Sequence, residues 1–184
     1  VNLGRLLIVG AGGYGRTVAE AALLSGWDSI AFVDDSFPKT SVIGHYEVLG
    51  NSAMISQLTL NFDAAVCAIG NNKTRKVMIE LIEKSGLPVV SIIHPRAYVS
   101  ADATVGSGST VMAGAVVGPY ARIGKGCILN ANATADHDSI MGDYAHLGVG
   151  VAIAGSASLG EGAWLQAGRA AGYGVVVDDW DVWK

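Results

Sequence analysis

Large aliphatic residues recur at every sixth position through the second half of the chain. Residues 93–182 divide without insertion into fifteen six-residue words: IHPRAY, VSADAT, VGSGST, VMAGAV, VGPYAR, IGKGCI, LNANAT, ADHDSI, MGDYAH, LGVGVA, IAGSAS, LGEGAW, LQAGRA, AGYGVV and VDDWDV. The first position is Ile, Val, Leu or Met in all words but ADHDSI and AGYGVV. The second is often Gly, and the fifth is mostly Ala, Ser, Thr, Cys or Val. Neither the two-residue period of a half-buried strand nor the 3.6-residue period of a helix produces this pattern. It implies a triangular solenoid in which each word forms one short flat face. The aliphatic first residue points inward, the small fifth residue lets the chain turn a tight corner, and three words complete a coil.

Residues 5–92 carry a different pattern, with strand and helix signals in alternation. Arg5–Val9 (RLLIV) is a buried-strand run, followed by a glycine turn over residues 10–15 and a helix over residues 14–24, closed near Gly26. A second strand covers residues 30–33 and ends at Asp34 and Asp35. Asn51 caps a short helix through Leu58, residues 64–69 form a third strand, and Asn72–Ser85 is a helix with Val77, Met78, Leu81 and Ile82 on one face and Gly86 as its stop. Residues 89–93 supply one more strand. Such alternation predicts a small parallel sheet with helices on its faces. The expected division is therefore an α/β domain over residues 1–92 and an all-β solenoid over residues 93–184.

The 184 residues suffice for two small domains, and 51% hydrophobic content supports packed cores. Many of the 25 glycines fall in phase with the six-residue words, so they report tight corners, not low complexity. A net charge of −4 and a pI near 5.4 argue against a nucleic-acid or anionic-membrane surface. Cys67 and Cys127 fall in different domains and read as buried thiols, which fits a reducing cytoplasm. No leader-like or membrane-spanning run is apparent, so a soluble protein is expected.

Gly10-Ala11-Gly12-Gly13-Tyr14-Gly15 satisfies G-x-G-x-x-G directly after a strand and at a helix start. Glycines let a backbone approach a phosphate closely, and the first helical N–H groups are unpaired donors at a positive dipole end. NAD is one reading and a purely structural turn is another. Fewer than 95 residues supply only one mononucleotide-binding half, however, which favours a nucleotide-sugar diphosphate over Gly12, Gly13 and Tyr14. Asp34 and Asp35, at the end of the second strand, are placed to accept hydrogen bonds from a ribose or a base imide, or else form a solvated turn. Lys73, in the run Gly70-Asn71-Asn72-Lys73-Thr74-Arg75 after the third strand, is the candidate cation for a phosphate. Lys73 and Arg75 could equally be exposed helix residues.

The word ADHDSI breaks the solenoid rule. It begins with Ala135 and places Asp136 and Asp138 around His137 in a segment otherwise built for packing, which marks a candidate functional site.

A glycine-rich α/β unit joined to hexapeptide words resembles the NeuD/PglD type of hexapeptide-repeat sugar acetyltransferases, which comprises sialic-acid O-acetyltransferases and nucleotide-amino-sugar N-acetyltransferases. The resemblance is carried by VGAGGYGRTVAE, FVDD, AIGNNKTR, SIIHPRAYVS and NANATADHDSIMGDYAH. It implies a Rossmann-like nucleotide-sugar-binding domain followed by a left-handed parallel β-helix. It also implies a homotrimer with active sites in the grooves between prisms, and acetyl-CoA as co-substrate with no metal. The family pattern of an Asn seven residues before a catalytic His, a carboxylate directly after it and a second His nine residues on falls on Asn130, His137, Asp138 and His146.

The implied reaction is acetyl transfer from acetyl-CoA to the amine of a nucleotide-linked amino sugar, such as a UDP-4-amino-4,6-dideoxy sugar. His137 would be the general base, since imidazole accepts protons near pH 7. Asp138 would orient it, although Asp136 also flanks the ring and only the family pattern selects between them. Asn130 would help position the acceptor, His146 the coenzyme, and the Gly155 N–H would meet the thioester oxygen. His137 and His146 are half a coil apart, so a dyad within one chain is not expected. The family often has His where Tyr14 stands; Tyr14 can still hydrogen-bond or stack. A short Gly/Pro/Ala-containing tail that closes the family's solenoid is not present by Lys184, and Trp180 and Trp183 are expected to cover part of the last coil. His45 and His94 read as structural.

Three rival functions share these residues. Sialic-acid or sugar O-acetylation would use the same base on a hydroxyl. A β-helical carbonic anhydrase would need three histidines converging on zinc, where only His137 and His146 are suitably placed. A non-enzymatic binding or scaffold solenoid needs none of this chemistry.

Overall fold

In a computed structural model, residues 3–184 are described, and they divide into two compact units, one ending at Val90 and one beginning at Ser91. In the first unit, Arg5–Val9 is the central strand of a parallel three-stranded sheet. Ser29–Val33 lies on one side of it and Ala64–Cys67 on the other. Leu6, Leu7, Ile8, Phe32 and Val66 are fully buried because both sheet faces are covered. Single parallel bridges extend this sheet at both edges, Phe32 with Val48 and Ala65 with Val89.

The helix Gly13–Leu24 buries Gly15, Val18, Ala19, Ala21 and Ala22, a stripe small enough to sit close to the sheet. The helix Asn72–Ser85 begins at an Asn71 side chain that accepts from the Thr74 N–H at 3.0 Å and ends at Gly86, whose φ of 84° needs no Cβ. Its buried face differs from the expected one. Val77 is exposed, and the inward residues are Asn72, Arg75, Ile79 and Ile82, because Arg75 is drawn inward to bond the preceding loop and the Asn72 side chain accepts from it. Residues 51–58 form a 3₁₀ turn and a one-turn helix, and the Asn51 side chain makes no cap bond. The strand expected over residues 89–93 is split. Val89 bridges to the first unit's sheet, while Ile92–Ile93 pairs with Thr110–Val111 of the solenoid. An antiparallel hairpin, Val42–Ile43 with Tyr46–Glu47, has no counterpart in the sequence reading.

The second unit is a parallel β-solenoid of about five turns, the left-handed β-helix of hexapeptide-repeat acetyltransferases. Two-residue strands stack at a register of eighteen residues, as in Arg122 opposite Ile140 and Ile140 opposite Ser158. They build two five-stranded sheets and one six-stranded sheet. First-position Val111, Val117, Ile123, Leu129, Met141, Leu147, Ile153, Leu159 and Leu165 fill the interior with fifth-position alanines such as Ala115, Ala121, Ala133, Ala145, Ala157 and Ala163. Each fully buried Leu, Ile or Val is worth about 1.5–3 kcal/mol of transfer free energy, so this column dominates the stability of the unit.

The corners turn one residue earlier than the sequence reading placed them. A positive φ recurs at every sixth residue from Gly108 to Trp180, always at the fourth position of a word, and the small fifth residue fills the inside of the bend. Glycine stands at most of these corners, but Tyr120, Asn132, Asp138, Tyr144, Ser156 and Trp180 adopt the left-handed conformation with a side chain. For a bulky residue that conformation costs roughly 1–2 kcal/mol, and least for Asn and Asp. Tyr144 is 5% exposed, so packing compensates it. Trp180 lies against Gly162, where a Cβ would run into its ring. Second-position glycines have another cause: a Cβ on Gly118 would fall 2.7 Å from the His137 nitrogen of the next coil.

Candidate active site

One corner of the solenoid carries Pro119–Tyr120, His137–Asp138, Gly155–Ser156 and Tyr173–Gly174 in successive coils. One local hydrogen bond shapes the His137 turn and two more hold it in register with the neighbouring coils. The His137 N–H donates to Asp136 Oδ1 at 2.7 Å, the Asp138 N–H to the Pro119 carbonyl at 3.0 Å, and the Ser156 N–H to the His137 carbonyl at 3.0 Å.

The left-handed turn at Asp138, with φ of 57°, brings its carboxylate alongside the ring, where Oδ2 stands 2.8 Å from His137 Nδ1. An ionised carboxylate can only accept, so the neutral imidazole carries its proton on Nδ1 and leaves Nε2 with a free lone pair. Asp136 is committed to the backbone, so Asp138 is the carboxylate that touches the ring. This hydrogen bond holds the His137 pKa above its ordinary value of 6.5; slight burial opposes it, and the charges of Asp136 and Asp138 reinforce it. The ring is 48% exposed.

Gly155 stacks on the imidazole from the next coil. A Cβ there would meet Nε2, Cε1 and Cδ2 of His137, so only a glycine leaves the ring its place. No residue among those described accepts from the Gly155 N–H. The buried glycine that packs against the imidazole therefore carries an N–H without an acceptor.

The other residues expected at this centre lie elsewhere on the same prism. Around each coil the order is six-stranded sheet, corner 131–132, the sheet through Thr134–Ala135, the His137 corner, the sheet through Ile140–Met141, then corner 143–144. His146 is on the six-stranded sheet, opposite the His137 corner, 6% exposed and stacked on Trp164 with centroids 5.1 Å apart and planes 6° from parallel. Asn130 follows a strand of that same sheet, half-buried, its Oδ1 accepting from the Ala131 N–H at 2.8 Å. One chain thus unites His137, Asp138 and Gly155, but not Asn130 or His146. His94 accepts the Arg96 N–H on Nδ1 at 2.9 Å and His45 lies against Tyr46.

A second locus occupies the carboxyl edge of the first unit's sheet, a cavity of about 120 Å³ lined by Val9, Gly10, Val33, Asp34, Asp35, Ser52, Ile69 and Met78. The three glycines at the G-x-G-x-x-G positions, Gly10, Gly12 and Gly15, have separate duties. Gly10, with φ of 108°, packs against Ala68 and Ile69, and a Cβ on Gly15 would strike the Gly10 carbonyl and Phe32. Gly12 faces open space at the helix N-terminus, which no side chain caps, so nothing internal requires glycine there. Gly13 is exposed, Tyr14 half-buried in the first turn, and Lys73 exposed in the first turn of Asn72–Ser85.

Asp34 is bound to the turn itself, accepting the Ala11 N–H at 2.7 Å on Oδ2 and the Ser36 N–H at 2.9 Å on Oδ1. Burial pushes its carboxyl up, but hydrogen bonds from Ser36 and Ala11 outweigh this and hold it below the usual value. Asp35 Oδ1 accepts the Ser52 N–H at 2.9 Å.

Two supporting roles were not expected from the sequence, and Arg75, which could have been an exposed helix residue, is not one. Arg75 is 1% exposed and clamps the loop after the third strand through the carbonyls of Ile69 and Gly70, at 3.0 and 3.1 Å, and Asn72 Oδ1, at 2.8 Å. Trp164 stands eighteen residues after His146, so the coil period itself was the signal. Among the described residues, no cluster of three or more His, Cys, Asp or Glu is spaced to hold a metal ion, and no helix is long and apolar enough to cross a membrane.

Comparison with known proteins gives a consistent family. The PglD N-terminal domain profile matches residues 5–82. A UDP-N-acetylbacillosamine N-acetyltransferase of Bacillus subtilis is 32% identical over 108 residues, 58% of this chain and 50% of that protein, so the chain matches about half the length of this curated relative. The acetyltransferase domain of PglB from Neisseria gonorrhoeae, solved with acetyl coenzyme A, superposes with a TM-score of 0.84 at 30% identity over 97% of this chain and 94% of that one. PerB from Caulobacter crescentus, solved with CoA and GDP-perosamine, gives 0.80 at 30% identity over 99% and 89%.

Proposed function

Because the chain belongs to the PglD-type acetyltransferases, we propose that it transfers the acetyl group of acetyl-CoA to the amine of a nucleotide-linked amino sugar. The observation that carries this reading is the His137 triad of contacts: Nδ1 tied to Asp138, Nε2 turned toward a bare Gly155, and an N–H at Gly155 with no acceptor. The amine nitrogen attacks the thioester carbonyl carbon and a C–N bond forms. His137 Nε2 takes the proton lost by nitrogen, and the Gly155 N–H donates to the developing oxyanion. The C–S bond then breaks, and the coenzyme leaves as a thiolate that collects the proton from the imidazolium. Asp138 keeps the ring in the productive tautomer and stabilises its charged form.

No acetyl-enzyme is required. Burial pushes the Cys67 thiol up to about 12, opposed only in part by the Ile69 N–H and Arg75, and Cys127 is buried with its Sγ on the Gly142 carbonyl at 3.2 Å. The nucleotide occupies the first unit, its diphosphate over Gly12 and Gly13 with Tyr14 and Lys73 alongside, and its nucleoside near Asp34 and Asp35. The solenoid works as a homotrimer: His146 and Asn130 reach the chemistry of His137 only from a neighbouring copy, since one prism puts them on other sides. The cytoplasm suits two free buried thiols.

The test is release of free thiol from acetyl-CoA with a panel of UDP- and GDP-linked 4-amino sugars. Product mass and resistance of the new bond to hydroxylamine identify an amide. Turnover of hydroxyl acceptors alone would replace this reading with O-acetylation, and no turnover or coenzyme binding at all would leave a scaffold.

A further inference from the structure

We infer that Tyr120 is the platform on which the pyranose ring of the acceptor stacks during transfer, an inference that rests on the activity proposed above. Three aromatic residues stand at left-handed corners of this solenoid, where glycine is the unstrained choice. Two are explained inside the chain. Tyr144 is buried, and Trp180 packs flat on Gly162. Tyr120 is not. Its φ is 60°, its side chain is 62% exposed, and no described residue hydrogen-bonds or stacks with its ring. A strained aromatic that the fold does not use points to a contact outside the chain.

Its position says which contact. Tyr120 is one coil before Asp138 on the same corner, and the carbonyl of Pro119 beside it accepts the Asp138 N–H at 3.0 Å. Adjacent coils are about 4.8 Å apart, so Tyr120 is the corner residue next in line to the one that bears the carboxylate. On the opposite side of His137 lie Gly155, with its unoccupied N–H donor, and Ser156, whose Oγ meets the Tyr173 hydroxyl at 3.5 Å. If the thioester takes the Gly155 side, the attacking amine comes to Nε2 from the Tyr120 side. A sugar ring presents a face of C–H bonds to an aromatic, which gives an exposed phenol a partner that needs no charge.

The test compares wild type, Tyr120→Phe, Tyr120→Ala and Tyr120→Gly with the UDP- or GDP-linked 4-amino sugar that wild type acetylates. Expected for Tyr120→Ala is a rise in KM for the nucleotide sugar of about tenfold, equivalent to about 1.4 kcal/mol, with the KM for acetyl-CoA within twofold. Binding of the free nucleoside diphosphate should not change, since it lacks the sugar. Tyr120→Phe should keep wild-type KM, and Tyr120→Gly should melt higher than wild type while showing the same loss as Tyr120→Ala. An unchanged sugar KM in Tyr120→Ala, with wild type active, would overturn the inference alone. A fall in native mass for Tyr120→Ala or Tyr120→Gly would also overturn it, by assigning the ring to a contact between copies. Failure of wild type on every amino sugar would remove the proposed activity and this inference together.

Discussion

Gly155 and His137, one coil apart, share a single volume: the imidazole occupies the space that any side chain at residue 155 would need, with Nε2 and Cε1 nearest. The backbone at Gly155 is not in the left-handed region, so alanine is conformationally acceptable there. Gly155→Ala should therefore fold with a melting temperature within a few degrees of wild type. It should displace the ring, with kcat down on the order of 100-fold or more. Circular dichroism melts alongside steady-state kinetics check this. A variant that kept full turnover would show that the ring works from another position.

The same ring sets the pH dependence. The Asp138 hydrogen bond raises the His137 pKa, so the imidazole holds its proton to higher pH and the base-competent neutral fraction grows only as pH climbs through that raised value. The acid limb of kcat/KM should lie above pH 6.5. Asp138→Asn removes the charge but retains a residue that tolerates the left-handed turn. Its limb should move to lower pH, with the plateau reduced on the order of 10- to 100-fold. A limb that stays in place would assign the ionisation to another group.

The solenoid was legible because its period is written in inward residues, and His137 stood out because Ala135 and two aspartates break that period. Gly155 and Trp164 were legible in principle, each being eighteen residues from a histidine. The corner conformation was not, since Tyr120, Asp138, Ser156 and Trp180 stand where glycine would have announced a positive φ. The buried face of Asn72–Ser85 was misread because hydrophobicity favours Val77 over Arg75, whereas three hydrogen-bond acceptors outweigh that preference. Asp34 looked like a free carboxylate because its partners are backbone N–H groups, one two residues on at Ser36 and one twenty-three residues away at Ala11.

The glycine turn separates fold from ligand. Gly12 faces open space with φ of −82°, so Gly12→Ala should melt like wild type yet bind nucleoside diphosphates more weakly, by several-fold in calorimetry. Gly15→Ala pushes a Cβ into the Gly10 carbonyl and should lose about 1–3 kcal/mol of stability. If both variants melted alike, the division of duties between these glycines would be wrong.

Arg75 tests whether the loop after the third strand depends on a buried cation. Arg75→Met keeps much of the volume but leaves two carbonyls and the Asn72 amide without their donor, a cost of about 2–4 kcal/mol. Lysine cannot make the same forked set of contacts, so Arg75→Lys should recover only part of that. Chemical denaturation measures both, and equal stability of Arg75→Met and wild type would refute the clamp.

Ser139 offers a stabilising change next to the candidate base. It occupies the inward fifth position of ADHDSI, is fully buried, and its Oγ has no hydrogen-bond partner among the described residues. Ser109, at the equivalent fifth position five words earlier, shows the satisfied alternative: its Oγ donates to the Gly124 carbonyl at 2.8 Å and accepts the Cys127 N–H at 3.0 Å. A buried hydroxyl without a partner costs about 1–3 kcal/mol, and alanine fills most of the fifth positions. Ser139→Ala should raise stability by about 1 kcal/mol, whereas Ser109→Ala should lower it by a similar amount. Because the change leaves the Asp136 and Asp138 contacts of His137 intact, kcat should stay within twofold. A fall in stability for Ser139→Ala would mean that its hydroxyl has a partner in the assembled protein.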